Sequence, residues 1–174
     1  SAASDVYKRQ MTTQSHHDHV EKQFSSQASE YLTSTVHASG RDLQRLAVRL
    51  ADYPDASVLD MGCGAGHASF VVAQNVSTVV AYDLSAHMLD VVAQAAEARQ
   101  LKNITTRQGY VESLPFADNA FDIVISRYSA HHWHDVGAAL REVNRILKPG
   151  GLLIVMDVMS PGHPVRDIWL QTVE

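Results

Sequence analysis

The most constraining feature of the sequence is a short apolar run that ends in an acid and a glycine-rich turn, residues 58–66 (VLDMGCGAG). The run is typical of a buried strand, and a helix pattern begins directly after it at about His67. Glycines at alternate positions lack a Cβ, so the backbone can turn tightly and approach a ligand closely at Gly62, Gly64 and Gly66. In an open α/β sheet, the turn after the first strand is where a nucleotide-like ligand binds. The stretch therefore predicts both a class of fold and the place of a ligand site.

Strand and helix patterns alternate along most of the chain. Apolar residues at helical spacing predict helices at 20–33, 41–53, 67–74, 86–100 and 136–147. Short β-branched or apolar runs predict strands at 57–60, 76–82, 103–108, 121–126 and 152–158. Such alternation is typical of βαβ units, in which helices cover both faces of a parallel sheet. We therefore predict a Rossmann-like, open, mostly parallel α/β sheet.

Individual residues predict where two of the helices begin and which side they bury. Ser85 and Asp135 stand directly before predicted helices, in the position of N-capping residues. In the helix at 86–100, the apolar face comprises Met88, Val91, Val92, Ala95 and Ala96. In the helix at 136–147, the residues predicted to face inward are Leu140, Val143 and Leu147.

The composition is that of one soluble domain, with 45% hydrophobic and 19% charged residues in a chain of 174. The net charge of -5 and a pI near 6.0 predict no basic surface of the kind that binds nucleic acid or an anionic membrane. No run approaches the roughly 20 apolar residues of a membrane span. The single cysteine, Cys63, excludes an internal disulfide and fits a reducing compartment. We therefore predict a cytoplasmic protein without a nucleic-acid partner or a membrane span.

The two ends of the chain differ from the rest. Residues 1–10 precede Met11, which has the context of a natural start, so we expect a non-native N-terminal extension there. Residues 11–19 are rich in histidine and are expected to form a mobile tail. A single domain is expected over 20–174, incomplete at its C-terminus because a helix pattern runs to Glu174 without a cap. We expect such a chain to be less stable than a longer form, because the strand at 152–158 would present an unpaired apolar edge.

The residues around the glycine turn indicate which nucleotide-like ligand it binds. A dinucleotide-binding turn has the spacing G-x-G-x-x-G, whereas these glycines are spaced G-x-G-x-G and His67 takes the third dinucleotide position. The carboxylate of Asp60 would repel a pyrophosphate but attract an ammonium group. Asp83 ends the second predicted strand, where a carboxylate can accept hydrogen bonds from ribose hydroxyls. A cationic nucleoside without phosphate, such as S-adenosylmethionine, suits all three features.

Four motifs that occur in order carry a family resemblance. They are the glycine turn at 58–66 and the runs DLSAHML at 83–89, ESLPF at 112–116 and LKPGG at 147–151. With these motifs the chain resembles class I S-adenosylmethionine-dependent methyltransferases of the ubiquinone/menaquinone C-methyltransferase-like group. The resemblance covers residues 20–158 and implies transfer of a methyl group from S-adenosylmethionine to a small-molecule acceptor.

The resemblance also implies which residues hold the cofactor. The three glycines would pack under its methionine part, which Asp60 would orient directly or through water. Asp83 would hold the ribose, and Leu84 and Met88 would flank the adenine. Tyr31, on the first predicted helix, matches an aromatic residue that closes over the cofactor in relatives. Two of these residues also have structural interpretations, since Asp60 could cap the turn and Met88 could belong to the core.

The third predicted strand departs from the family pattern. Relatives carry Gly-Asp-Ala-Glu after this strand, and their Asp recognises the adenine amino group. The matching residues here are 109–112 (GYVE), so Tyr110 replaces that Asp. The adenine contact would then involve Tyr110 and the backbone of Val111.

Candidate residues for the methyl acceptor follow the fourth predicted strand, at the sheet edge where a substrate enters. His131 or His132 could line the acceptor pocket or act as a general base. Arg127 and Tyr128 could bind an anionic or aromatic acceptor, although an Arg at this place is also typical of a surface ion pair. Adjacent histidines converge poorly on one ion and no Cys or paired acid supports them, so no metal site is predicted.

The predicted reaction is an in-line displacement, in which the enzyme aligns the acceptor with the methyl group and excludes water. A base is required only where the attacking atom must lose a proton. Two alternatives stay open from the sequence. One is a non-catalytic module that binds S-adenosylmethionine, and the other is an NAD-type oxidoreductase, which Asp60 and His67 disfavour.

Overall fold

The computed structural model describes residues 40–158, and there the predicted α/β order is confirmed. The helices are α1 Arg41–Leu50, α2 His67–Val72, α3 Ala86–Ala98 and α4 Val136–Ile146. The strands are β1 Ser57–Met61, β2 Thr78–Asp83, β3 Ile104–Gln108, β4 Phe121–Arg127 and β5 Leu147–Met156. A short 3-10 helix, Ala130–His132, follows β4. The helix predicted at 20–33 and the segments expected at 1–10 and 11–19 lie outside the described residues.

The strands run parallel in a five-stranded sheet of order β3-β2-β1-β4-β5. β1 lies at the centre, where Asp60 is level with Ala81 of β2 and with Ile125 of β4. The chain passes to one side of β1 for β2 and β3, and to the other side for β4 and β5. The order therefore reverses between β1 and β4, which is the place where ligands bind in open α/β sheets, beyond the carboxyl ends of the strands.

The central strand is apolar because helices cover both of its faces. Val58, Leu59 and Met61 have 0% of their surface exposed. On one face the core includes residues of α1 and α2, namely Leu43, Leu46, Leu50, Ala68 and Val72. On the other face it includes Leu114, Val143 and Ile146, from the loop before β4 and from α4. Burial on both faces explains the nearly continuous apolar run in the sequence.

Two elements have bounds that differ by three or more residues from the predicted ones. α1 ends at Leu50, because the amide of Tyr53 donates to the carbonyl of Leu50 at 3.0 Å in a tight turn that leaves the helix. β5 begins at Leu147 and includes the LKPGG run, which the sequence indicated only as a helix stop. It pairs there with β4 through a register shift between Phe121 and Ile123.

Both predicted N-caps are confirmed. The hydroxyl of Ser85 accepts a hydrogen bond from the amide of Met88 at 3.3 Å, at the start of α3. The carboxylate of Asp135 accepts one from the amide of Ala138 at 2.8 Å, at the start of α4. Each bond satisfies an amide that has no partner inside its helix, and this fixes the residue at which the helix begins.

The prediction that Leu140 faces inward is wrong. Its side chain is 43% exposed, whereas the buried residues of α4 are Ala139, Val143 and Ile146. These three are spaced by three or four residues and share one helix face, and Leu140 lies about 100° around the axis from Ala139. In α3 the predicted face is also wrong at one position, because Leu89 is buried and the predicted Val91 is only partly buried.

Replacing Val143 and Leu140 by alanine tests which side of α4 is buried. We expect Val143→Ala to lower the free energy of unfolding by about 1–3 kcal/mol, because buried methyl groups are lost and a cavity remains. Leu140→Ala removes a larger side chain, yet the expected change is within about 0.5 kcal/mol because that side chain is exposed. Urea unfolding curves of both variants and the parent chain measure these values. A larger loss for Leu140→Ala would contradict the orientation of α4.

Candidate functional site

The carboxyl ends of the parallel strands bring together residues that are far apart in the sequence. At the edge they form, Asp83 ends β2 and the glycine turn follows β1. The loop at 128–133 follows β4, and Asp157 follows β5. Tyr110 and Val111 follow β3 at the same edge. The structure thus brings together the predicted site residues that lie in its described part. Tyr31 lies outside the described residues.

The glycine turn has a backbone conformation that glycine adopts most readily. Gly64 and Gly66 have φ angles of +50° and +84°. A Cβ on Gly66 would lie 2.8 Å from Cγ2 of Val92 and 2.9 Å from Cζ of Phe70, so this glycine allows α2 and α3 to pack closely. A Cβ on Gly64 would meet no atom of the described residues within 4 Å. Gly64 therefore borders open space, as expected of a residue over which a ligand lies.

Hydrogen bonds attach the glycine turn to the end of β2. The amides of residues 62 and 63 both donate to the carbonyl of Tyr82, at 2.8 and 3.0 Å. The amide of Gly64 donates to Oδ2 of Asp83 at 2.8 Å, and the amide of Ser85 donates to Oδ1 at 2.9 Å. Burial raises the pKa of Asp83, although these amides act in the opposite direction. Asp83 therefore holds the turn and the start of α3 in place, a role that the sequence did not indicate.

Asp60 is almost completely buried, with 1% of its surface exposed. Its Oδ2 accepts a hydrogen bond from the hydroxyl of Ser69 at 2.6 Å, whereas Oδ1 has no hydrogen-bond partner among the described residues. Burial raises the pKa of Asp60 to about 6, and the charge of Asp83 adds to the rise while the Ser69 hydrogen bond and Arg127 oppose it. A buried carboxylate oxygen without a donor is unfavourable. Such an oxygen is therefore suited to receive a donor or a cation from a ligand.

The charge of Arg127 is balanced by an acid on α1. Nε of Arg127 donates to Oδ2 of Asp42, and only 7% of the Arg127 side chain is exposed. Burial alone would raise the pKa of Asp42, but the hydrogen bond and charge of Arg127 lower it. With this pair formed, Asp60 and Asp83 make the ligand side of the glycine turn negative. The geometry favours a structural ion pair for Arg127, and its role toward an acceptor stays a prediction.

The residues predicted to flank adenine lie around the ends of β2 and β3. Met88 is 1% exposed, and its amide takes part in the cap of α3. Leu84 is half-buried between β2 and α3. Tyr110 is 39% exposed, and its carbonyl accepts a hydrogen bond from the hydroxyl of Tyr82 at 3.1 Å. Val111 is half-buried beside it, so this corner offers Leu84, Tyr110 and Val111 to a ligand and places Met88 beneath the surface.

The loop after β4 borders the glycine turn. A Cβ on Gly62 would lie 1.9 Å from the hydroxyl oxygen of Ser129, so the loop and the turn are in close contact. That hydroxyl accepts a hydrogen bond from Nε1 of Trp133 at 3.0 Å. Tyr128 turns the chain out of β4 with a φ of +53°, and its amide donates to the carbonyl of Met156 at 2.8 Å. This conformation is uncommon for tyrosine, and such residues concentrate at functional sites.

His131 forms a close pair with Asp157. Its Nδ1 lies 2.6 Å from Oδ1 of Asp157, and its amide donates to Oδ2 at 3.3 Å. The rings of His131 and His132 are in contact, with their centroids 3.9 Å apart and their planes tilted by 50°. The sequence alone did not indicate Asp157. The signal that could have found it is the one that found Asp83, namely an acid at the end of an apolar run that predicts a strand.

Within residues 40–158, no group of three or more His, Cys, Asp or Glu side chains is arranged to hold a metal ion. No helix of this part of the chain combines the length and the apolar character needed to cross a membrane.

Residues 59–155 match the family model described as a methyltransferase domain. The chain is 90% identical over 113 residues to the uncharacterized protein YafE of Escherichia coli (strain K12), a match covering 65% of this chain and 55% of YafE. It is 37% identical over 147 residues to the uncharacterized methyltransferase YcgJ of Bacillus subtilis (strain 168), covering 84% and 58%. It is 30% identical over 175 residues to the demethylmenaquinone methyltransferase of Lactococcus lactis, covering 97% and 68%.

Solved structures share the arrangement of strands and helices. The crystal structure of YcgJ from Bacillus subtilis has a TM-score of 0.69 at 35% identity, covering 77% of this chain and 58% of YcgJ. A SAM-dependent methyltransferase from Aquifex aeolicus has a TM-score of 0.63 and covers 76% of each chain. Because the Aquifex aeolicus protein is 22% identical to this chain, its similarity concerns the fold alone. The resemblance predicted from the four motifs is confirmed.

The buried carboxyl of Asp60 is expected to make stability depend on pH. Its pKa is about 6 in the folded chain and close to 4 in an unfolded one. The folded chain therefore binds more protons between these values, and the free energy of unfolding falls as the pH rises. Relative to Asp60→Asn, we expect the parent chain to lose on the order of 2 kcal/mol between about pH 4.5 and pH 7. Urea unfolding midpoints at both pH values measure the difference.

Asp122→Asn is the matched control for this experiment. The hydrogen bond from Lys148, helped by the amide of Ser57, lowers the pKa of Asp122 to about 2. The pKa of Asp122 lies below about 4.5 in both the folded and the unfolded chain. The difference in free energy of unfolding between Asp122→Asn and the parent chain should therefore change little between about pH 4.5 and pH 7. Parallel pH curves for the parent chain and Asp60→Asn would show that the pKa of Asp60 is not raised.

Proposed function

Because the chain belongs to the family of S-adenosylmethionine-dependent methyltransferase domains, we propose that it binds S-adenosylmethionine at the glycine turn and transfers a methyl group to a small molecule. The chain spans 55% of YafE and 58% of YcgJ, a little over half of each relative. The activity of the whole protein is therefore part of the proposal.

The observation that carries the proposal is the buried Oδ1 of Asp60, which has no partner among the described residues and lies at the end of the strand that leads into the turn. A ligand that places a cationic donor there would satisfy this oxygen. S-adenosylmethionine carries an ammonium group and a positive sulfur but no phosphate. A dinucleotide would instead bring a pyrophosphate close to Asp60 and Asp83, where two carboxylates disfavour it. The residues present therefore fit S-adenosylmethionine.

We assign the cofactor contacts by position in the site. Gly62, Gly64 and Gly66 would lie under the methionine part, and Asp60 would orient that part. Asp83 would accept from the ribose hydroxyls with lone pairs that its two backbone donors leave available. The adenine corner would consist of Leu84, Met88, Tyr110 and Val111. Tyr31 would close over the cofactor.

When bound, S-adenosylmethionine supplies a methyl group on a positively charged sulfur, which an acceptor atom attacks in line. The contribution of the protein is then to align the acceptor and to exclude water. The two acids of the turn would attract and hold the cation. The loop that contains Ser129 and Trp133 touches the turn and would shield it from solvent on the β4 side.

For the acceptor side, we propose that His131, His132 and Arg127 are the residues nearest to the reaction. All three lie at or after the end of β4, beside the loop that borders the turn. One relative is named a demethylmenaquinone methyltransferase, so a quinone ring is one acceptor chemistry that this site would have to accommodate. The net charge of -5 supports a small molecule over a nucleic acid. A cytoplasmic location stays a prediction from composition.

A cofactor-binding module without turnover is the second candidate. The observation that favours it is Tyr110, which occupies the place of the adenine-binding Asp of relatives and is partly exposed. Binding in that case would occur with no methylated product. An NAD-type oxidoreductase is disfavoured by the two acids of the turn and by His67 in the third glycine position.

Isothermal titration calorimetry of the full chain with S-adenosylmethionine, S-adenosylhomocysteine and NAD tests the proposal. We expect the first two to bind and NAD not to bind. Asp60→Asn and Asp83→Ala should each weaken S-adenosylmethionine binding about tenfold or more, because a hydrogen bond to a charged group contributes about 1.5–3 kcal/mol. Asp122→Asn, which changes a carboxylate at the opposite end of β4, should bind like the parent chain.

Binding of NAD alone would overturn the proposal. Unchanged affinity in Asp83→Ala would remove this residue from the ribose site. Because Asp83 also holds the turn, circular dichroism of that variant must first show a folded chain. Tight binding without methyl transfer to any acceptor would favour the module without turnover.

A further inference from the structure

We propose that Asp157 positions His131 to accept a proton from a methyl acceptor that carries a hydroxyl group. The inference rests on the proposed function, which by itself does not require a base. It also separates His131 from its neighbour His132, which the sequence left equivalent.

Hydrogen bonds to both carboxylate oxygens fix the orientation of the pair. Oδ1 of Asp157 lies 2.6 Å from Nδ1 of His131, and Oδ2 accepts from the His131 amide at 3.3 Å. The amide of Val158 also donates to Oδ1, at 2.8 Å. Backbone amides thus orient the carboxylate, and the carboxylate orients the imidazole ring.

This arrangement determines which ring nitrogen can receive a proton. An ionised carboxylate only accepts hydrogen bonds, so the proton of a neutral imidazole must lie on Nδ1 and the free lone pair on Nε2. The His131 side chain is 27% exposed and that of Asp157 is 14% exposed. In serine hydrolases, a buried acid holds a histidine in the same way, and that histidine takes the proton of the serine hydroxyl.

The pair lies on the other side of the glycine turn from the two acids of the cofactor site. His131 follows β4 and Asp157 follows β5, whereas Asp60 and Asp83 end β1 and β2. Ser129, two residues before His131, is in contact with the turn at the position of Gly62. His131 is therefore placed on the side from which an acceptor would approach the bound cofactor.

The other charged or titratable groups of this region have defined places. The ring of His132 contacts that of His131, with centroids 3.9 Å apart and planes tilted by 50°. Glu112 accepts from the amides of residues 134 and 135 at 3.0 and 3.3 Å, which directs its carboxylate to the start of α4. Arg127 is paired with Asp42. The ring of His131 donates its hydrogen bond from Nδ1 to Asp157.

The proposed step balances in atoms and in charge. The acceptor hydroxyl gives its proton to Nε2 of His131 while its oxygen forms a bond to the methyl carbon. The carbon–sulfur bond breaks, and its electron pair stays on sulfur. The positive charge that the sulfur loses is then carried by the imidazolium of His131, next to the carboxylate of Asp157, until the proton passes to water. The products are a methyl ether and a thioether.

The presence of an oriented base indicates the class of acceptor. An amine attacks through a free lone pair and can lose its proton after the new bond has formed. A hydroxyl group is a weak nucleophile until its proton is removed, since even a phenol has a pKa of about 10 in water. A base that is held in one tautomer therefore favours a hydroxyl-bearing acceptor over an amine.

The tautomer of His131 can be measured without any cofactor. Long-range ¹H–¹⁵N NMR spectra of the full chain at about pH 8.5, where an ordinary histidine is neutral, distinguish Nδ1–H from Nε2–H rings. We expect Nδ1–H for His131, whose signal is identified by its loss in His131→Gln. Asp157→Ala should convert this ring to the Nε2–H form, and Asp157→Asn, which keeps an acceptor oxygen, should restore Nδ1–H. His134→Gln, on the same loop, should leave the signal unchanged.

An Nε2–H ring in the parent chain, or an unchanged ring in Asp157→Ala, would overturn the role of Asp157. If Asp157→Ala does not fold, the tautomer of the parent chain decides the matter. This result does not depend on the cofactor. Failure to bind S-adenosylmethionine in calorimetry counts against the proposed function, whereas binding of S-adenosylmethionine together with an Nε2–H ring overturns the present inference alone.

The acceptor class is tested with 4-nitrophenol, whose ionised form absorbs visible light. At a pH just below the pKa of the free phenol, we expect the parent chain to raise the ionised-to-neutral ratio of bound probe roughly tenfold, as an adjacent opposite charge does. His131→Gln should lose this rise and His134→Gln should keep it. No rise with the parent chain would overturn the hydroxyl class. A rise that persists in His131→Gln would overturn His131 as the proton acceptor.

Discussion

The parallel pairing of β1 with both β2 and β4 sets the arrangement of the sheet and of the site at its edge. This pairing places β1 at the centre of the sheet, where helices cover both faces and the strand must be apolar. Because Asp60 belongs to this strand, its carboxylate is buried. One of its oxygens has no hydrogen-bond partner among the described residues. The same pairing places the glycine turn at the edge of the sheet where β2 and β4 also end.

The two sides of the central strand carry different chemistry. On the β2 side, Asp60 and Asp83 give the turn a negative character, and the charge of Arg127 is balanced elsewhere by Asp42. On the β4 side lies the pair of His131 and Asp157, which the proposed mechanism uses to move a proton. In the proposed mechanism, the cation would bind on the β2 side and the proton would be accepted on the β4 side of the point where the strand order reverses. On both sides, a carboxylate at the end of a parallel strand holds a neighbouring group in place. Asp83 holds the glycine turn, and Asp157 holds the ring of His131.

Most of the fold and about half of the site could be predicted from the sequence, because their signals are local. The caps at Ser85 and Asp135 depend on residues three positions away, and each is confirmed. The inward position of Leu140 was wrong because apolar residues at positions 139 and 140 both fit a helical pattern, and only packing chooses between them. Asp157 was not found because its partner lies 26 residues earlier, and the partner of Arg127 lies 85 residues earlier.

The alternation of strands and helices, the glycine turn and the acids at the ends of β1 and β2 can all be recognised in the sequence. These features follow from backbone conformations that few residues adopt and from hydrophobic spacing within single elements. Folding of the whole sheet, in contrast, establishes that Arg127 pairs with Asp42, that Asp83 holds the glycine turn, and that Asp157 meets His131. These contacts depend on which strands lie side by side, and strand order is set by the packing of the whole sheet.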